Sequence, residues 1–382
     1  MWATRPNAPG ISPLPSTLPS TPRWTEMPQL LLSADPGFMH LALEEFRRDS
    51  RNGQTLDELA PSVYLLDCDE GFWGLAETWI DDPPVFTRHI CPVDLTYPLI
   101  ATPRDLSRLS DAAVVEYADL LDPDVSFSVQ SRILLDLPYK PFDVNRAVSS
   151  ALARAASSPL DVRQPFQILS VVCAAANRGL ELERPAAPSD GQLAFLGLSL
   201  ASHNISDWAG GVRRFRREKE QVSRAEFKML EALEAFRIDL PAGGVALDLG
   251  AAPGGWTRVL RQNGQFVTAV DPAELHSRLV ADRGVRHKKM TAEAYLKEGP
   301  DAFDLLVNDM RMDARASANL MNAFSDFLYP HAEALMTLKL GKTAAALEPA
   351  CTILRECYTI LHMRQLFHNR NEVTIHLMPK LA

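Results

Sequence analysis

Apolar residues along this chain recur in short blocks of strand length, separated by stretches of helical period, and the pattern changes character twice. From Gln29 to about Leu99, LLLSA predicts a strand and GFMHLALEEFRRD an amphipathic helix. SVYLLDCD and VFTRHICPV predict further strands, so the order suggests a small α+β unit of ferredoxin-like, split β-α-β type. From about Pro103 to Ala201, DAAVVEYADLL and NRAVSSALARAA read as helices. VSFSVQSRIL alternates with the period of a half-buried strand, FQILSVVCAAANRGLEL reads as one or two strands, and LAFLGLSLASHNISDW closes the unit. The last stretch alternates regularly: PAGGVALDLG, a helix from Gly255 to about Asn263, then QFVTAVD, VRHKKM, AFDLLVNDM and ALMTLKL as successive strands. Intervening helices predict parallel strands with crossovers. YTILHMRQLF and EVTIHLM are joined only by HNRN, which forces an antiparallel pair at the end of a mostly parallel sheet. The expected division is therefore a tail (1–25), a small α/β unit (26–100), a second α/β unit (101–209) and a Rossmann-like α/β unit (210–382).

The tail is rich in Pro, Ser and Thr and lacks periodicity. It reads either as a disordered segment or as the product of a start assigned too early, with the protein proper beginning near Met27. It has no apolar core of the kind a secretory signal needs. With 46% hydrophobic and 23% charged residues, the 382-residue chain can build more than one core. No run of about 18 apolar residues appears, so no membrane span is expected. The five cysteines are scattered and form no CxxC pair, which argues against a zinc site or a disulfide framework and fits a reducing, cytoplasmic setting. The formal net charge of −9 is unusual for a protein that binds nucleic acid, although such binding needs only a local basic face.

Candidate chemistry begins at Asp248-Leu-Gly250-Ala-Ala252-Pro253-Gly254-Gly255-Trp256-Thr257, which follows an apolar strand and opens a helix. That is the context of a nucleotide-binding loop. Gly250 and Gly254 can take backbone shapes closed to other residues, Gly255 would let the helix start close to the sheet, and free N–H groups there suit a carboxylate. Asp271 ends the second strand, where an acid can grip two ribose hydroxyls.

DLGAAPGGWT resembles the cofactor loop of the FtsJ-like ribose 2′-O-methyltransferases, with the match strong from about Ser223 to His376. The whole chain looks like the type within that family that sets a small α/β domain and a THUMP RNA-binding domain before the catalytic one. VSFSVQSRIL and LGLSLA carry the likeness to THUMP, and FTRHICPV resembles part of the first domain. The resemblance implies a class I S-adenosyl-L-methionine (SAM) methyltransferase fold. It also implies a SAM site built from Asp248, Gly250, Ala252, Pro253, Gly254, Gly255, Trp256, Asp271 and Asp309. The family often has an acid near the adenine, where this chain has Thr291, with Glu293 as an alternative.

The resemblance further implies a Lys-Asp-Lys-Glu catalytic tetrad. Its matches are Lys228 in SRAEFKMLEA, Asp309 in VNDM, Lys339 in TLKL and Glu372 in NEVTIH. A ribose hydroxyl must lose its proton as it attacks, and a lysine whose pKa is lowered by burial or a second cation can take it. On this reading Lys339 is the base and Lys228 the second cation; Asp309 orients Lys339, and Glu372 positions Lys228 or the hydroxyl. Base N-methylation usually shows an Asn/Asp-Pro-Pro-aromatic motif, where this chain has NDMRMD. Cytosine C5 methylation needs a cysteine in a stretch where none lies between Cys173 and Cys351.

Just before Lys228, GVRRFRREKEQVSRAEFK offers Arg213, Arg214, Arg216 and Arg217 for RNA phosphates and Phe215 for base stacking, diluted by Glu218, Glu220 and Glu226. A second basic run, Arg283 to Lys289, reads as structural. The expected function is RNA ribose 2′-O-methylation with SAM, on large-subunit ribosomal RNA by resemblance, with neither metal nor membrane. The alternatives are methylation of another RNA or nucleophile, or an RNA-binding protein without catalysis.

Overall fold

A computed structural model describes residues 29–176, 191–341 and 343–380. The proline-rich tail and the NRGLEL end of the predicted strand after Gln167 lie outside the described residues. The first sheet is made by β1 (Gln29–Ala34), α1 (Met39–Asp49), β2 (Gln54–Ala60), β3 (Val63–Asp67), α2 (Gly71–Asp81) and β4 (Thr87–Pro92). Its strand order is β2-β3-β1-β4, and each neighbouring pair is antiparallel, the ferredoxin-like arrangement. The apolar run of β1 has no polar face because both faces are covered. Leu30 and Leu32 pack with Phe38, Phe46 and Phe72 under the helices, while Leu31 points to the opposite side. The pattern did not announce β2, an edge strand of mixed character, or α2, whose GFWG start carries two glycines.

The second sheet joins β5 (Leu95–Pro98), α3 (Asp105–Tyr117), β6 (Phe127–Ile133), α4 (Pro141–Ala155), β7 (Gln167–Ala175) and β8 (Gln192–Leu200), in the order β5-β8-β7-β6. Leu95–Pro98 thus leaves the first sheet before residue 100. Asp94 accepts the Leu198 N–H at 2.7 Å, and the residues after it pair antiparallel with Leu193–Leu196. Period two again sorts the side chains. Leu169, Val171 and Cys173 face α3 and α4, whereas Val172, Ala174 and Phe195 meet Leu31, Leu65 and Cys91, so the two sheets pack face to face.

The third unit runs α5 (Glu226–Ala235), β9 (Val245–Leu249), α6 (Gly255–Gln262), β10 (Phe266–Val270), α7 (Ser277–Val280), β11 (Val285–Lys288), α8 (Ala292–Lys297), β12 (Phe303–Asn308), α9 (Ala314–Ala323), β13 (Leu328–Lys339), α10 (Leu347–Cys357), β14 (Tyr358–Arg364) and β15 (Glu372–Pro379). The seven-stranded order is β11-β10-β9-β12-β13-β15-β14. β9 to β13 pair in parallel, and β15 runs antiparallel to both its neighbours. The direction of winding reverses between β9 and β12. At such a switch point the loops part and leave a crevice at the carboxyl ends of the strands.

Among the described residues no helix is long and apolar enough to cross a membrane, and no three His, Cys, Asp or Glu side chains cluster in a way that could hold a metal. All five cysteines are free thiols, four of them buried.

Candidate active site

Four chain segments deliver their charged ends to one rim. Asp309 follows β12, Lys339 ends β13, and Glu372 opens β15. Because β15 is antiparallel, its first residue sits opposite the last of β13, and Lys339 and Glu372 are direct cross-strand partners. Lys228 reaches the same point from the first turn of α5. Lys228 Nζ lies 3.1 Å from Asp309 Oδ1 and 2.6 Å from Glu372 Oε1. Lys339 Nζ lies 2.8 Å from Asp309 Oδ1 and also contacts Glu372 Oε2. The result is a closed ring in which each ammonium touches both carboxylates. It lines a cleft of about 980 Å³ together with Arg224, Arg311, Phe367 and Arg370.

Burial alone would lower the Lys228 ammonium pKa, but the charges of Asp309 and Glu372 outweigh it, and the pKa is raised. Burial would likewise raise the Asp309 carboxyl, but Lys339 and Lys228 hold it below its usual value. For Lys228 the two nearby carboxylates decide the sign. A residue with no signal in the sequence completes the ring. The Thr337 hydroxyl donates to Asp309 Oδ1 at 2.6 Å and accepts from Lys339 Nζ at 2.6 Å. Lys339 therefore makes three polar contacts, to Asp309, Thr337 and Glu372.

The glycine loop connects β9 to α6 on the same rim. Gly250 and Gly254 have φ of 73° and 113°, a left-handed backbone that disfavours any Cβ. Gly255 permits a close approach, though not to the sheet: a Cβ there would sit 2.2 Å from Ser223 Oγ, just ahead of α5. Trp256 is buried, and its indole N–H donates to the Ala225 carbonyl at 2.9 Å. Asp248 is fully buried beneath the loop and accepts the Thr257 hydroxyl at 2.6 Å; burial pushes its carboxyl up to about 7. Asp248 and Trp256 thus brace the loop from inside. Of the loop residues, Pro253 is exposed and Gly250 and Ala252 are half-buried, whereas Gly254 is buried against Leu279. Asp271, at the end of β10, accepts the Ala252 N–H at 3.1 Å and the Ala273 N–H at 2.8 Å, so its carboxylate is already turned onto the loop. Thr291 caps α8 by accepting the Ala294 N–H at 3.2 Å, and Glu293 is exposed on the first turn.

The arginine run divides. Arg213 is committed to the fold: it pairs with Glu234 at 2.6 Å and lies over Trp208 and Phe215, 4.2 Å and 4.1 Å from the ring centres. Phe215 also stacks on Phe227, so its faces are not free for a base. Arg214, Arg216 and Arg217 are exposed. The acids that dilute the run are turned away from them: Glu218 and Glu226 bind Arg258, and Glu220 binds Arg278. In the second basic run, Arg286 pairs with Asp301, Lys288 with Glu298 and Lys289 with Glu274.

The link after β14 is more than a turn. Arg88 of β4, buried, donates from Nη2 to the Leu366 carbonyl at 3.1 Å, and the Gln365 N–H donates to the Val85 carbonyl at 2.7 Å. Glu231, on the α5 turn after Lys228, accepts the N–H groups of Phe367 and His368, both at 2.8 Å. Residues 367–371 then form one wall of the cleft.

A seven-stranded, mostly parallel sheet with a reversed strand, a glycine loop after its first strand and an acid after its second defines a Rossmann-like domain of the SAM methyltransferase class. Residues 221–370 match the family model described as FtsJ-like methyltransferase, a family whose cofactor is SAM. Among curated relatives, "Ribosomal RNA large subunit methyltransferase M" of Alkalilimnicola ehrlichii is 33% identical over 219 residues, 52% of this chain and 58% of that protein. The protein of the same name from Halorhodospira halophila is 33% identical over 174 residues, 44% of this chain and 50% of that protein. The chain spans about half the length of the curated relatives it matches. Among solved structures, TrmN from Thermus thermophilus aligns over 92% of this chain and 99% of that one, at 17% identity and a TM-score of 0.35, too distant a likeness to carry weight.

Proposed function

We propose that this protein methylates a ribose 2′-hydroxyl of RNA, with large-subunit ribosomal RNA as the substrate class that the names of its relatives suggest. The observation that carries this reading is the closed Lys228–Asp309–Lys339–Glu372 ring beside the glycine loop. SAM would supply a methyl group activated by its positively charged sulfonium. The residues present fit that cofactor: the start of α6 has no side-chain cap, so its first N–H groups suit a carboxylate, and Asp271 stands where ribose hydroxyls can be gripped. Thr291 and Glu293 are the nearest candidates for the adenine.

Lys339 would take the proton of the attacking hydroxyl. Its Nζ contacts Asp309, Thr337 and Glu372, which fix it in place, and a lysine acting as base must be neutral. Lys228, held charged by both carboxylates, would stabilise the developing alkoxide. Asp309 and Glu372 would fix the positions of both lysines, so that placement and preorganised charge supply most of the catalysis. We assign residues 26–100 and the THUMP-like residues 101–209 to RNA capture, together with Arg214, Arg216 and Arg217, and a ribosomal substrate would place the reaction in the cytoplasm.

The test is a map of ribose methylation in total RNA from cells with and without the gene. Loss of a ribose mark, restored by the wild-type gene but not by K339A, is expected. An unchanged map would overturn the reading, and a lost base mark would redirect it to another nucleophile.

A further inference from the structure

The sequence offers no local sign of three further arginines that border the tetrad cleft. Arg224 precedes α5, Arg311 follows β12, and Arg370 lies in the loop between β14 and β15. They come from three separate segments, all three are exposed, and no ion pair engages any of them among the described residues. Away from the cleft, Arg258, Arg278, Arg286, Lys288 and Lys289 stand against carboxylates, whereas Arg214, Arg216 and Arg217 are exposed with no ion pair among the described residues. The cleft wall holds five cations (Arg224, Lys228, Arg311, Lys339 and Arg370) against two carboxylates (Asp309 and Glu372), leaving three positive charges. The ring in the middle is neutral by itself, so the excess lies entirely on its border.

We propose that Arg224, Arg311 and Arg370 hold the phosphodiesters flanking the nucleotide whose ribose enters the ring, an inference that rests on the RNA reading above. Guanidinium forks suit phosphate oxygens, and exposed arginines lose little solvation until the phosphate arrives. A cleft of about 980 Å³ is at the upper end of small-molecule pockets, roomy enough for a nucleotide with its neighbouring phosphates. Three arginines around one cleft fix the backbone path from different sides and so decide which ribose is presented. An uncharged nucleoside would engage none of them and should be a very poor substrate.

The experiment uses the full chain, SAM, and large-subunit ribosomal RNA purified from cells lacking the gene. Methyl transfer is followed from low to high salt for wild type, for the triple variant R224Q/R311Q/R370Q, and for a triple lysine variant. In the glutamine variant KM should rise at least about tenfold at moderate salt, and the slope of log KM against log salt should drop by about two to three. SAM affinity should stay within about twofold, which also reports an intact fold, and the lysine variant should recover most of the slope. An unchanged KM and slope in the glutamine variant would overturn the inference while leaving the RNA reading intact. A wild-type protein that transfers methyl to no RNA would overturn the RNA reading itself.

Discussion

Arg88 in the first sheet donates through Nε to Oε1 of Gln365 at 2.8 Å, joining two residues 277 positions apart. The same guanidinium reaches Asp35 at 3.2 Å and the Leu366 carbonyl at 3.1 Å, and Arg364 answers by donating to the Thr87 carbonyl at 3.1 Å. The N-terminal sheet therefore holds the segment that turns into the cleft wall and ends at Glu372.

Weakening this join should damage turnover before it damages cofactor binding. We expect Q365L, which leaves the Arg88 Nε–H without its side-chain acceptor, to raise KM for RNA or lower kcat by about tenfold, in line with about 1.5 kcal/mol for a charge-assisted hydrogen bond. SAM affinity, measured calorimetrically, should change little. A variant with wild-type kinetics would limit Gln365 to domain packing.

Thr337 gives the sharpest test of the ring. T337V keeps the shape and removes the hydroxyl that links Asp309 to Lys339. Loss of a hydrogen bond to charged groups costs about 1.5–3 kcal/mol, so kcat should fall roughly 10- to 100-fold with SAM binding retained. K339A should abolish transfer outright. Single-turnover rates with saturating RNA would separate the two.

The rate should also rise with pH. Asp309 and Glu372 hold Lys228 charged more firmly than usual, which suits its role as the retained cation, while a lysine base must be neutral to accept the hydroxyl proton. We expect kcat to increase from pH 6 to 9 with no maximum below 8. A flat profile in a single-turnover assay would count against a lysine base.

Stability should move the opposite way. Burial raises the Asp248 carboxyl to about 7, while in the unfolded chain it titrates near the usual value of about 4. The folded state binds the extra proton between those values, so the stabilisation present below pH 4 is lost as pH rises through 7. The melting temperature should therefore fall by several degrees between pH 6 and 8, and D248N should flatten that slope. Glu231 and Asp94, also raised to about 7, act in the same direction and leave a residual slope in the variant.

For the exposed arginines before α5, R214A/R216A/R217A should weaken RNA binding and reduce its salt dependence by about two units of slope in filter binding. R213A should instead lower the melting temperature, because Arg213 is bound to Glu234 and stacked between Trp208 and Phe215. Equal salt slopes for wild type and the triple variant would return that run to a solvated face.

The parts of the site that could be read from the sequence are those written locally. DLGAAPGGWT declares a loop because glycine and proline leave few other backbone options, and Asp309, Lys339 and Glu372 were expected together because the resemblance to the FtsJ-like methyltransferases matches them to one tetrad. What stayed hidden depends on contacts between distant positions. Thr337 looks like one more residue of an apolar strand until Asp309 stands beside it. Arg88, Glu231 and Gln365 carry no local pattern, since each is defined by a partner more than 100 residues away. The HNRN link was read as a turn, yet it lines the cleft, because its neighbours on β4 and α5 lie far off in the chain. Phe215 was read as a free stacking platform for the same reason: Phe227 and Arg213 cover it only once the chain is folded.

The bond from the Trp256 indole to the Ala225 carbonyl, with Gly255 pressed against Ser223, leaves no slack between the loop that would cradle the methyl donor and the helix that carries Lys228. The loop and the helix are clamped to one another. An inhibitor wedged under the loop would therefore spoil the alignment of the acceptor as well as exclude the donor, and resistance to it could not arise at residue 255 without moving that helix.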